Sequence, residues 1–595
     1  MTPRALFVLL VLSLAASAAG QTVYVVDLSE AASGWLLVEA EADCASTPCA
    51  WEMPVWSATY QVRDFAQYVA AWESVDSEGR PLRSQKTTPW RWETEDAQGS
   101  RMRVRYRVLA DRSGPFGAYA DPQMLSGNLS QILAYPRGGE SAPARLRFAS
   151  LAKGQSEALS LKRDEQGYAA ESYYRLIDTP LLIGAFSEAS FELAGKTFRV
   201  VAYGEGAAAR LGALRKTARR LAKAAIELMD DAPFDQYLFV YIFSENDGGG
   251  MEYRNGTSIY GPSDCSDCNM ASLTAHELFH LWNVKRIRPA SMEPIDFTRP
   301  NPSPSLWFVE GVTSTYAGYI ERAAGLISQT DLVGRLERII NQYRARPAAL
   351  RQSARESSID AWLERYPAYG REDLSVSYYL KGELIGHLLD LTIRAKSDNA
   401  HSLDDVMRRL NNDYARQGRF FEDDKAIERI ASEIAGVDLG AVFEELVRTP
   451  APIAWNRYLG YAGYHLEATR KTYVDLGLTL ANPAGLGVIV SRVFPGGPAE
   501  RAGFRRGDQI LRIEGRRVTG GAYEASQRLE RMLGREVEIH VEREALLRML
   551  KLRPRKTEDT VYRLAEVEHP SPAQRRVRRG WLERKTQAAS VSSSE

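Results

Sequence analysis

Histidine is scarce in this chain, with 7 residues in 595, and cysteine is scarcer, with 4. Net charge is missing too: Lys+Arg 76 balances Asp+Glu 76. A chain with no basic excess has no electrostatic footprint for a nucleic-acid backbone, and nothing suggests nucleic acid as a partner. Long apolar runs are absent except at the start. There Arg4 gives a positive opening, Ala5 to Leu14 are almost wholly apolar, and Ala16-Ser17-Ala18 ends the run in small residues. That pattern over residues 1–20 reads as a secretory signal peptide, too short to span a bilayer comfortably. No other candidate span occurs, so the mature chain is expected to be secreted or periplasmic, with no transmembrane segment.

The cysteines fall as two close pairs, Cys44 with Cys49 and Cys265 with Cys268. In an exported chain, local disulfides are the first reading of both. A metal at Cys265-x-x-Cys268 would need a second pair close by, and only the distant N-terminal pair exists.

Against this scarcity, two of the seven histidines stand four apart in LTAHELFHLWN, as His276 and His280 with Glu277 beside the first. Residues four apart on a helix lie one turn above each other, so both imidazoles can aim at one point. Neutral imidazole suits zinc, and catalytic zinc takes three protein ligands plus a water. Glu277 is placed to reach that water without binding the ion, the H-E-x-x-H arrangement of zinc hydrolases. The bland alternative is a core helix with two satisfied histidines. A third ligand is offered by SLWFVEGVTSTYAGYIERA, a second helix with an apolar face from Trp307, Phe308, Val312, Tyr316 and Tyr319. A carboxylate in such a run is costly unless paired or metal-bound, which singles out Glu310.

The length implies several domains. From Thr22 to about Gly195 the segments VYVVDL, WLLVEAEA, RMRVRYRVLA and ARLRFASL read as strands of a β-sandwich, residues 21–195. The aromatics of MPVWSATYQVRDFAQYV serve domain packing or line a cleft. Residues 196–455 are mainly helical, opening with a helix from Ala207 to Met229 and a buried strand, YLFVYIFS. A glycine-rich turn leads into Gly250-Met251-Glu252, where a Glu could bind a substrate ammonium or simply face water. Tyr378 and Tyr379 start a later helix and read, on residues alone, as core aromatics. His387 and His401 have no spacing partners and read as structural. Residues 456–553 form a separate unit, and residues 554–595, polar and rich in arginine, read as a flexible tail.

Two resemblances follow. PAERAGFRRGDQILRIEG within the fourth segment resembles a PDZ domain of the kind found on bacterial proteases, which takes an extended peptide as an added strand. Gly485-Leu486-Gly487 stands where its carboxylate-binding loop is expected. The whole mature chain resembles the glycyl-aminopeptidase family of zinc metallopeptidases. MPVWSATYQVRDF, HELFHLWNVKRIRP, LWFVEGVTSTY and YYLKGELIGHLLD carry that resemblance. It implies a multidomain α+β fold with an N-terminal β-sandwich, a thermolysin-like catalytic domain and a C-terminal PDZ domain. It implies one zinc ion on His276, His280 and Glu310, with Glu277 as general base and then acid. Tyr379 would be the transition-state tyrosine, with Tyr378 as the fallback, and Gly250, Met251 and Glu252 the loop that holds the substrate's amino group. Family members commonly have His after that Glu, and this chain has Tyr253. The expected activity is release of an N-terminal residue, Gly or Ala by resemblance. An endopeptidase recruiting substrates through its PDZ domain, or a peptide-binding protein with a structural zinc, are the alternatives.

Overall fold

The structure is a computed structural model that describes residues 20–57, 60–95, 97, 101–244, 248–263, 270–363, 374–482 and 487–584. The signal-peptide segment through residue 19, Cys265 with Cys268, and Gly485 with Leu486 lie outside the described residues. Cys44 and Cys49 form a disulfide. No described helix is long and apolar enough to cross a membrane.

The chain divides into two compact units. One comprises Met1–His465 together with Glu566–Glu595, and the other is Leu466–Ala565.

In the first unit an eight-stranded sheet is centred on Thr22–Asp27, Trp35–Asp43 and Arg101–Leu109. WLLVEAEAD and RMRVRYRVL alternate buried and half-buried along their whole length. Successive side chains of a strand point to opposite faces, so Leu36, Val38, Met102, Val104 and Tyr106 form one face and the charges the other. On that second face Arg101 meets Glu41 at 2.5 Å and Arg105 meets Glu39 at 2.7 Å across the strands. Such half-exposed pairs contribute little each but fix register. Two four-stranded sheets complete this β region, and Tyr24, Trp51, Trp92, Leu125 and Ile183 from all three sheets share its core.

The β region ends earlier than the expected boundary at residue 195. Ser187–Leu193 pairs with Lys196–Gly204 and belongs to the next sheet. That five-stranded sheet runs on through Gln236–Ser244 and Gly256–Pro262, all parallel from Lys196–Gly204 onward, to an antiparallel edge strand, Gly249–Tyr253. Parallel neighbours need a long crossover, and the helix Ala207–Met229 supplies it. Helices follow, among them Ala271–Phe279, Thr313–Ala323, Gln329–Arg344, Tyr378–Lys396 and Leu403–Asp413.

The second unit holds the strands Leu478–Ala481, Ile489–Val493, Gln509–Ile513, Val537–Arg543 and Leu546–Leu552, with the helix Ala522–Glu530. Val490, Ile510, Ile513, Leu529, Ile539 and Val541 form its core. It is an insertion and not a C-terminal appendage, because the chain leaves the first unit at His465 and returns to it at Glu566.

The expectation of a flexible tail from residue 554 is therefore corrected. Arg555–Glu566 is a strand, and Pro572–Glu583 is a helix opened by a capping box of Ser571 and Gln574. The arginines dominate its composition, but Val577, Trp581 and Leu582 make a buried stripe at helical spacing. Likewise the helix Trp455–Gly460, which the expected boundary at residue 456 gave to the PDZ segment from its second residue on, lies in the first unit and buries Trp455, Tyr458 and Leu459.

Arg584 closes this return. Its guanidinium is 2.8 Å from Asp390 and 2.7 Å from Asp404, with all three side chains almost wholly buried. Tyr319 donates to Asp390 at 3.0 Å, Tyr316 donates to Asp404 at 2.9 Å, and Trp581 Nε1 donates to Tyr319 at 3.1 Å. Burial alone would raise Asp390, but Arg394 and Arg584 outweigh it and hold the carboxyl well below the usual range.

Removing one member of a buried ion pair strands the other. Arg584→Ala is expected to destabilise the first unit by about 3–5 kcal/mol, read from urea unfolding. A change within about 0.5 kcal/mol would show that this return segment is dispensable. A second expectation concerns His387, which burial and then the charge of Arg335 hold down at about 3. The unfolded chain takes up a proton near pH 6.5 that the folded chain refuses, so stability falls as pH drops through that value. The loss between pH 7 and pH 5 should be about 2 kcal/mol. His387→Gln should flatten that part of the stability–pH curve.

Candidate active site

The helix Ala271–Phe279 buries Ala271, Thr274, Ala275, Leu278 and Phe279, which fixes the direction of its other face. His276 and His280 lie on that face. Their Nε2 atoms are 3.1 Å apart. Glu310 Oε2 lies 3.4 Å from the first and 3.3 Å from the second. A tetrahedral ion bound at about 2.0–2.1 Å sets its donors roughly 3.3 Å apart, so this triangle has the edge lengths of one face of such a site.

The other ring nitrogens explain why both Nε2 atoms are free for a cation. His280 Nδ1 lies 2.6 Å from the Asn283 carbonyl, an acceptor, and so carries the proton. Ser314 Oγ donates to the Glu310 carbonyl at 3.1 Å and thus accepts from His276 Nδ1 at 3.3 Å. Partners of this kind fix the tautomer and the ring plane. Asn283 also donates to the Phe308 carbonyl at 3.0 Å and to Thr313 Oγ1 at 3.1 Å, joining the two helices that carry the triangle.

Glu310 sits in a π-type turn, Trp307–Val312, all of it buried, that runs directly into Thr313–Ala323. The wider turn re-aims one side chain without ending the helix. Gly311 follows because a Cβ there would lie 2.7 Å from the Tyr378 carbonyl. That close approach brings the N-terminus of Tyr378–Lys396 to the site. Ser377 caps this helix, accepting from the Leu380 amide at 3.3 Å. Tyr378 is buried, while Tyr379 is half-exposed with its ring centroid 6.1 Å from that of His276.

The edge strand Gly249–Tyr253 runs past Glu277. A Cβ at Gly250 would sit 2.5 Å from Glu277 Oε1, so glycine is what leaves room for the carboxylate. Met251 is buried. Glu252, Glu277 and His280 bring one polar atom each within 4.8 Å of the others. Burial pushes the Glu277 carboxyl well up, and the charges of Glu252 and Glu310 push the same way. Glu252 is buried too, and its Oε1 has no hydrogen-bond partner. The nearest ammonium, Lys285 Nζ, is 3.7 Å away and lies closer to Asp178, at 3.1 Å.

The structure thus gathers His276, Glu277, His280, Glu310, Glu252 and Tyr379 into one centre. Three of its residues were missed in the sequence. Asn283 and Ser314 act through long-range hydrogen bonds that leave no local pattern. Tyr60 comes from the β region, and burial, followed by the nearby charges of Glu310 and Glu252, holds its hydroxyl well above the usual range. Its backbone is left-handed, at φ 51, which is uncommon for a tyrosine. The turn around it is pinned to the helical part: Val55 N donates to the Phe297 carbonyl at 2.7 Å, and Trp56 Nε1 donates to that of Asp296 at 2.7 Å. The aromatics of MPVWSATYQVRDF therefore both pack the domains and reach the site.

Residues 269–385 match the family model described as M61 glycyl aminopeptidase. Residues 23–185 match the Peptidase M61 N-terminal domain, and residues 489–543 match a PDZ domain. A solved aminopeptidase N family protein from Idiomarina loihiensis is 23% identical, with a TM-score of 0.82 over 94% of this chain and 100% of that one, which establishes the shared fold. A variant of the M1 zinc metallopeptidase from Deinococcus radiodurans is 14% identical, with a TM-score of 0.46 over 73% of this chain and 94% of that one. HhoA of Synechocystis sp., described as a serine protease, is 56% identical over 36 residues, which are 6% of this chain and 9% of that protein. Over residues 23–185 and 269–385 the chain is thus similar to the M61 glycyl aminopeptidases, which supports a peptidase.

Proposed function

We propose that the protein is an exported zinc aminopeptidase that hydrolyses the first peptide bond of peptides with a free N-terminus, Gly and Ala among the residues released. The observation that carries this reading is the donor triangle of His276, His280 and Glu310, with edges of 3.1, 3.3 and 3.4 Å and a buried Glu277 alongside. Two neutral imidazoles and one carboxylate fit zinc by donor type, by spacing and by the fixed tautomers. Bound there, zinc supplies Lewis acidity and lowers the pKa of a water toward ~7.

The chain's own residues do the rest. Glu277 takes the proton of the attacking water and returns it to the departing amine. Its burial favours the protonated form, which suits the second half of that exchange. Tyr379 donates to the carbonyl oxygen as charge builds on it, a contribution of about 2.7–4 kcal/mol for comparable donors. Glu252 Oε1, buried and without a hydrogen-bond partner, accepts from the substrate's ammonium. Gly250 and Met251 carry it on a strand that hugs Glu277. An ammonium held at Glu252 leaves only the first peptide bond in reach of Glu277. Export is supported by the pattern of residues 1–20 and by the Cys44–Cys49 disulfide, which belongs to an oxidising compartment. The PDZ unit takes a peptide C-terminus by strand addition.

Glu277→Gln should keep its metal and lose about 10²–10⁴-fold in release of glycine and alanine from their anilides. Undiminished release would remove the assigned base. Glu252→Ala should lose cleavage of free N-terminal peptides while metal content holds. Equal cleavage of N-acetylated and free peptides by the unaltered protein would make it an endopeptidase.

A further inference from the structure

A cavity of about 370 Å³ opens beside Glu252, walled on one side by Trp56 and Tyr60 of the β region. The side chain of Gly or Ala needs almost none of that space. What the cavity is built to hold follows from its charges. Six basic residues line it, among them Arg175, Arg254, Lys285 and Arg286, against three acidic ones, Asp178, Glu252 and Glu293, the last paired with Arg288.

Lys285 and Arg175 have carboxylates near them, and Arg254 and Arg286 are the least neutralised of these cations. Arg286 donates to four oxygens, the carbonyls of Pro233, Arg254 and Leu281 and the side chain of Asn255, and none of them is charged. Burial, and then the like charges of Arg254 and Arg175, bring it down to about 9. Arg175 is paired through Nη1 with Asp178, at 3.5 Å, and through Nε with the exposed Glu171, at 3.4 Å. Among the described residues neither Arg254 nor Arg286 has a carboxylate partner. Asp178 is shared between Lys285, at 3.1 Å, and the Arg254 amide, also at 3.1 Å. Three guanidinium groups crowded on a half-buried wall repel one another, and a carboxylate placed among them relieves that repulsion while gaining charge-assisted, bidentate hydrogen bonds.

We propose that this cavity receives the side chain of the substrate's first residue and that it selects a carboxylate, N-terminal Glu or Asp. The proposal rests on Glu252 holding the substrate's ammonium: the residue so held projects its side chain into the space that Glu252 itself borders. Lys285 bridges Asp178 and Glu252, at 3.1 and 3.7 Å, so the cationic wall begins beside the carboxylate that anchors the ammonium.

Glutamyl and glutaminyl p-nitroanilides have nearly the same shape and differ in charge. Neither has a C-terminal carboxylate, so any preference reports on the first side chain. The unaltered protein should show a kcat/KM for the Glu anilide about 10-fold or more above that for the Gln anilide. In Arg254→Gln that ratio should fall toward one, mainly through a rise in KM for the Glu anilide. Release from Gly, Ala and Gln anilides with Glu equal or worse overturns the acidic subsite and leaves the aminopeptidase reading standing. No release from any anilide, with an N-acetylated peptide cleaved, overturns both.

Discussion

Everything in the first unit is arranged so that two imidazole nitrogens and one carboxylate oxygen meet within 3.4 Å of each other. Such a meeting needs positive charge at its centre: the buried carboxylate has lost its water, and although burial disfavours charge on His280, Glu310 outweighs it and raises that imidazole to about 9. The structure holds the meeting in place from behind. Asn283 and Ser314 orient the two rings, and Asn283 also bonds to the segment carrying Glu310. A preformed triangle of this kind is complementary to a divalent ion and to little else.

Two close backbone approaches make the centre possible. At Gly311 the Glu310 turn touches the start of the tyrosine helix, which carries Tyr379 toward His276. At Gly250 the edge strand slides against Glu277, which sets Glu252 on the far side of the same carboxylate. Behind these helices the chain's last described helix supplies Trp581 and Arg584 to the network of Tyr316, Tyr319, Asp390 and Asp404. Tyr316 in turn stacks on Phe279, the neighbour of His280, at 4.1 Å. The residues after the inserted PDZ unit thus brace the helices that bear the triangle.

What the sequence made legible was local. His276 and His280 are one helical turn apart, and that spacing alone points both rings one way. Glu310 was legible because a carboxylate inside an apolar run demands a partner. The segments WLLVEAEA and RMRVRYRVLA were legible as strands, and both lie in the first sheet. Distant pairings were not legible. Tyr60 comes to Glu310 from the β region, within an aromatic stretch that the sequence marks for packing or a cleft without saying which ring reaches the site. The C-terminal segment was misread because its many arginines outweighed three apolar residues at helical spacing, and because Arg584 is buried against two aspartates that lie far away in sequence. The boundary at residue 195 was late for a related reason: a strand shows its β character in sequence but not the sheet it joins.

The most direct test of the account is the metal content of the purified protein, measured by elemental analysis beside Glu310→Ala. The account predicts one zinc per chain in the unaltered protein and its loss in the variant, with the fold retained. A chain that holds no stoichiometric divalent metal, or one that keeps its zinc when Glu310 is removed, would contradict it.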